Sequence, residues 1–219
     1  HGIGRRQRQM CIRDRHGARV TGVDFAPGAI AAATVLSEEI GVPARFVVSE
    51  VTAAAEALGG ETFDIVYTAW GVLGWLPDLS AWGRTVAALM KPGGRFFIAE
   101  THPVAWIFDP SGHPGSDGLR QTWDYFGRGR RFTIAQDGSY AAPDAAITHR
   151  RQHVWLYEIG QVITALLDAG LTITGFAEHD GTCNGILPGM TKREDGLWVL
   201  PEGRPNLPLS FTLSAIKPG

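Results

Sequence analysis

Asp24, Glu50, Thr68 and His102 are the residues whose type and position in this chain could do chemistry. Two apolar stretches, ARVTGVD (18–24) and ARFVVSE (44–50), each end in an acid. Thr68 lies in a third, FDIVYTAWG (63–71), and His102 follows a fourth, RFFIAE (95–100). In open α/β sheets, ligands bind outside the carboxyl ends of the strands. A carboxylate there can accept both hydroxyl protons of a vicinal diol, or an amino proton. A histidine just past such an end could take a proton from a reacting group that carries one. Each also has a plainer use. Asp24 could cap a helix starting near Pro27, Glu50 could be a solvated loop acid, and His102 before Pro103 could be a turn residue.

The elements that must position these residues follow a regular order. PGAIAAATVLSEEIG (27–41) reads as a helix, with Pro27 at its start and Gly41 at its stop. The apolar run of 63–71 suits a strand buried on both faces. DLSAWGRTVAALMKPGG (78–94) reads as a helix with Leu79, Trp82, Val86 and Leu89 on one face, closed by Pro-Gly-Gly. Residues 101–150 break the rhythm as a Pro-, Gly- and aromatic-rich insertion, in which TWDYFG and RRFTIAQDGSY read as short strands. A helix over 157–170 and a strand over 171–179 resume it. Residues 180–207 read as a long loop carrying Trp198, and 207–218 as a strand with no helix before it, which predicts an antiparallel return. The fold class is α/β, a doubly wound, Rossmann-like sheet.

Composition narrows the function. The 219 residues carry 20 basic and 22 acidic side chains, a net charge of −2, which gives no reason to expect nucleic acid. No apolar run reaches the roughly 18–20 residues of a membrane span. The charged N-terminus is followed by no apolar core, so no signal peptide is expected. Cys11 and Cys183 make no disulfide framework, and a reducing, cytoplasmic setting is the default. No metal site is expected. His149 and His153 fall on one face of a strand, about 13 Å apart, too far to share an ion.

VTGVDF, FVVSEV, FDIVYTAWGVLGWLPD, LMKPGGRFFIAE, LLDAGLTITGFAEHD and LPLSFTLSAIKP together resemble the class I S-adenosylmethionine-dependent methyltransferases from His16 onward. The resemblance implies a parallel sheet closed by an antiparallel last strand. It also implies that S-adenosylmethionine is bound with Asp24 on the ribose hydroxyls and Glu50, in place of the usual Asp, on the adenine amino group. Phe25 and Val51 are the apolar walls beside them. Thr68, Ala69 and Trp70 border the sulfonium and its methyl group. His102 is the candidate base, with Trp106, Tyr125, Phe126, His149 and His153 on the side of a small-molecule acceptor.

The family begins with a strand and an E/D-x-G-x-G-x-G turn, which HGIG (1–4) does not supply. RRQRQMCIRDR (5–15) is instead the in-frame translation of a transposase-type sequencing adapter. Residues 1–15 are therefore read as adapter, and 16–219 as a partial methyltransferase domain with an insertion at 101–150. Without residues 1–15, 15 basic and 21 acidic side chains remain, a net charge of −6. In this family the first strand lies between the second and fourth, so a chain without it is expected to be impaired. Two rivals stay open: a nicotinamide-dependent oxidoreductase, whose second strand also ends in a ribose-binding acid, and a non-catalytic nucleotide-binding module of similar fold.

Overall fold

The computed structural model describes residues 17–68, 70–109, 118–135, 151–204 and 206–219. Two compact units divide the chain, one of residues 1–62 with 134–152 and one of residues 63–133 with 153–219.

In the first unit, strand β1 (Thr21–Asp24) pairs in parallel with β2 (Arg45–Val48), with Asp24 opposite Val48. Helix α1 (Pro27–Glu39) joins them. Pro27 suits its first turn, where no N–H partner is needed, and Gly41 leaves the end at φ +64°. Buried Ala33 and Ser37 form its inner contact, and the Ser37 hydroxyl accepts Ala44 N–H (3.1 Å), tying the helix end to the start of β2. After β2 come a 3-10 turn (Val51–Ala53) and the short helix α2 (Ala54–Ala57).

The second unit holds β3 (Phe63–Thr68), helix α3 (Leu79–Leu89), β4 (Met90–Thr101), helix α4 (Ile159–Asp168), β7 (Thr172–His179) and β11 (Ser210–Ile216). Its four-stranded sheet runs β3-β4-β11-β7. β3 and β4 are parallel, and β11 is antiparallel to both β4 and β7, as the absence of a preceding helix predicts. Helices α3 and α4 pack on the face of Phe96, Ile98 and Leu213, which are essentially sealed from water. Trp82 meets Phe96 edge-on at 5.8 Å. The two helices touch at Gly83, where a Cβ would overlap the Ala165 carbonyl.

The opposite face corrects the expectation for β3. Ile65 is 67% exposed and Phe97 41%, although Tyr67 stacks on Phe97 at 6.0 Å. In the second unit α3 packs on one face of the run 63–68, and alternate residues such as Ile65 point away from the helices.

Residues 180–207, expected as loop, contain β8 (Gly181–Thr182), β9 (Thr191–Lys192) and β10 (Trp198–Val199) in the order β8-β10-β9. They build a second core: Ala105, Leu187, Met190, Leu200 and Leu209 are buried together, with Phe108, Leu119 and Trp198 packed against them. The first part of the insertion and this long segment thus fold on each other. Within the insertion, TWDYFG is irregular rather than strand, and the end of RRFTIAQDGSY, 136–140, lies outside the described residues. β5 (Arg131–Ala135) pairs with β6 (Arg151–Trp155).

Candidate functional site

In the first unit, β1 and β2 deliver Asp24 and Glu50 to one end of the ladder, since Ser49 N–H donates to Asp24 O (3.1 Å). Asp24 is partly exposed, and its Oδ1 accepts Ala26 N–H at 2.9 Å. This is a local turn before α1 and not the helix cap, since the N-cap residue is Ala26. Phe25 beside it is 67% exposed, Glu50 is exposed, and Val51 opens the 3-10 turn. The Ser49 hydroxyl donates to Glu50 O (3.0 Å). A carboxylate beside an exposed aromatic ring, with a second acid at the next strand end, fits a ribose and an adenine.

In the second unit, Thr68 is buried and its Oγ1 accepts Trp82 Nε1–H at 3.3 Å, so the hydroxyl faces the core under α3. Trp70 is partly exposed in the turn that follows, and Ala69 lies outside the described residues.

Glu100, to which the sequence reading gave no role, is 5% exposed. Its Oε1 accepts N–H from Gly71 (2.8 Å) and Thr101 (2.8 Å), and its Oε2 accepts from Val72 (2.9 Å) and Leu73 (3.4 Å). Burial raises its carboxyl above the usual range, and the four N–H groups pull it back down. The signal in the sequence was an acid ending a strand otherwise full of core residues.

His102 is buried past the end of β4. Its Nδ1 accepts Val104 N–H (3.1 Å), capping the 3-10 turn Pro103–Ile107, and its Nε2 meets Glu178 Oε1 at 3.0 Å. The Nδ1 contact fixes the neutral tautomer with the proton on Nε2, donated to Glu178. Both ring nitrogens are engaged, which leaves neither free to take a proton in this arrangement. Burial lowers the His102 pKa, while the Glu178 charge and hydrogen bond raise it. Glu178, half-exposed on β7, is a second residue missed by sequence reasoning.

The described residues expected around an acceptor belong to different elements. Trp106 is 42% exposed in the turn after His102. Tyr125 meets Phe126 edge-on at 5.2 Å, and Phe126 lines an open groove of about 700 Å³ with Tyr157, the start of α3 and one side of α4 from Gly160 to Asp168. Tyr157 donates its hydroxyl to Leu76 O at 2.6 Å, and burial, with the nearby Asp78 charge, pushes its pKa up to about 12. Glu158 caps α4 in a reciprocal box with Gln161, which is why the helix starts two residues later than expected. His153 bonds Thr133 across β5 and β6 (3.0 Å), and His149 lies outside the described residues. Among the described residues, no group of three His, Cys, Asp or Glu could hold a metal, and no helix is long and apolar enough to cross a membrane.

With the geometry in view, the likeness to known proteins is specific. The methyltransferase domain family matches residues 7–96. The ubiquinone biosynthesis O-methyltransferase of Methylobacterium sp. (strain 4-46) is 41% identical over 85 residues, 39% of this chain and 33% of that protein. The protein of the same name from Xanthomonas axonopodis pv. citri is 39% identical over 85 residues, covering 39% and 35%. Among solved structures, an S-adenosylmethionine-dependent methyltransferase from Mesorhizobium loti superposes with TM-score 0.59 at 18% identity, covering 94% of this chain and 85% of that one. The glycopeptide N-methyltransferase MtfA in complex with S-adenosylmethionine does so with TM-score 0.53 at 16% identity, covering 94% and 75%.

The fold is that of the class I S-adenosylmethionine-dependent methyltransferases, and residues 7–96 are similar to the methyltransferase domain family. The chain spans about a third of the length of the curated relatives it matches.

Proposed function

We propose that this chain serves methyl transfer from S-adenosylmethionine to a small-molecule acceptor, in a cytoplasmic setting. Asp24 carries the reading. It ends β1 with Phe25 exposed beside it, in a segment that matches the methyltransferase domain. In this reading its carboxylate accepts the ribose hydroxyls, Phe25 and Val51 border the sugar and base, and Glu50 accepts the adenine amino group. The turn after β3, with Trp70, serves the reactive end. The cofactor supplies an electrophilic methyl group on a sulfonium. The protein's share is alignment, which suffices for an in-line displacement.

His102 is assigned a positioning part, since its Nε2–H holds the half-exposed Glu178 carboxylate. Trp106, Tyr125 and Phe126 stay assigned to the acceptor side. The matched relatives are named O-methyltransferases, so a hydroxyl is the first acceptor group to try.

Calorimetric titration with S-adenosylhomocysteine tests the reading. Impaired as the chain is expected to be, it should bind weakly, and Asp24→Asn should weaken binding roughly tenfold further, as for a hydrogen bond to a charged group. Equal affinity in the two proteins, or binding of a nicotinamide dinucleotide in its place, would remove it.

A further inference from the structure

Glu100 stands on the same strand face as Phe96 and Ile98, so alternation alone turns its side chain into the interior beneath α3 and α4. A carboxylate in such a place must find donors, because burial without them is costly. Here all four donors are backbone N–H groups, and three belong to the consecutive residues Gly71, Val72 and Leu73. Consecutive amides converge on one point only when the backbone bends sharply, and Gly71 supplies the bend at φ +71°. The 3-10 turn Leu73–Trp75 starts there, so the carboxylate also satisfies N–H groups that the turn leaves without internal partners. The fourth donor, Thr101 N–H, lies on β4 itself and locks the side chain to its own strand.

The geometry points to Glu100 as the positioning residue for the segment that follows β3: its carboxylate gathers the amides of Gly71, Val72 and Leu73 and so fixes where that backbone runs. The functional consequence rests on the reading above, in which this segment meets the reactive end of the cofactor. Glu100 touches no ligand in this role. It acts through the loop, and losing it would displace a segment whose placement governs alignment.

Glu100→Gln keeps the shape but turns an amide donor toward amide donors. Hydrogen exchange on the full chain is expected to speed roughly tenfold or more at Val72 and Leu73, with the β7–β11 amides unchanged. Unchanged exchange at the loop, or an equal rise across the whole sheet, would overturn the positioning role. Should Glu100→Gln fail to fold, Glu100→Asp, which keeps the charge one methylene further back, is read in the same way. Titration with S-adenosylhomocysteine decides the consequence. Weaker binding by the variant supports it, and equal binding despite an opened loop overturns it. A parent chain that binds none would strike the methyltransferase reading, while the exchange result still decides the role of Glu100.

Discussion

Asp24 and Glu100 both stand near the carboxyl end of a strand in a parallel pair, β1 with β2 and β4 with β3. Asp24 gives one oxygen to one neighbouring amide and is partly exposed. Glu100 is buried and gives both oxygens to four amides, three of them 27 to 29 residues away in sequence. The same functional group thus faces outward at one end and inward at the other. An outward acid can offer hydrogen bonds to a ligand, whereas an inward one spends its capacity on the chain. Ligand contact and backbone placement are separate tasks, and in the function proposed above separate carboxylates carry them.

The contrast breaks most visibly at Glu100. Glu100→Ala strands several buried amides, and is expected to cost about 3 kcal/mol of stability, a fall in melting temperature of roughly 6–12 °C by calorimetry. Asp24→Ala should cost less than about 1 kcal/mol in the same melt, the scale of a local turn bond, while lowering S-adenosylhomocysteine affinity roughly tenfold. A reversal of these two profiles would end the division of labour.

A sharper probe of the inward side is Thr68→Val, which removes the acceptor of the Trp82 indole. About 1 kcal/mol should be lost from the urea unfolding free energy, and a neutral result would mean that the hydroxyl does not serve the core.

The smallest effect is a pH dependence. Burial lowers the His102 pKa, so the unfolded chain takes the proton first, and stability falls as pH drops below about 6.5. Glu100 acts with the opposite sign. Its carboxyl is raised by burial, so the native state takes up the proton first and gains stability as pH falls through that raised value toward the ordinary 4.5. Urea midpoints measured from pH 8 to 5 should show the first slope, and His102→Gln should remove it while leaving the second.

The place of Asp24 at a strand end was legible in the sequence because its signals are local: an alternating strand, the acid at its end, and Pro27 starting a helix three residues later. The antiparallel last strand was legible because no helix lies between 179 and 210. Glu100 was visible as a strand end but not as a clamp, since its partners come from a loop almost thirty residues earlier. The second core escaped for a related reason. Strands of two residues have no period, and Leu187 and Leu200 mean little until Ala105 arrives from the other side of the fold. For His102 the sequence left a base and a turn residue open; the turn that it caps is local to Pro103, whereas its partner Glu178 comes from distant β7. Ile65 misled in the other direction, since an apolar run shows that a strand has apolar residues on both faces, not that both are covered.

β11 is flanked by β4 and β7 and follows both in sequence. During synthesis, β4 and β7 leave the ribosome with open edges toward each other and cannot form this sheet until β11 has been made. The sheet of the second unit is therefore expected to form only once β11 has been made, and slowly, with its longest exposure to aggregation while β7 waits for its partner.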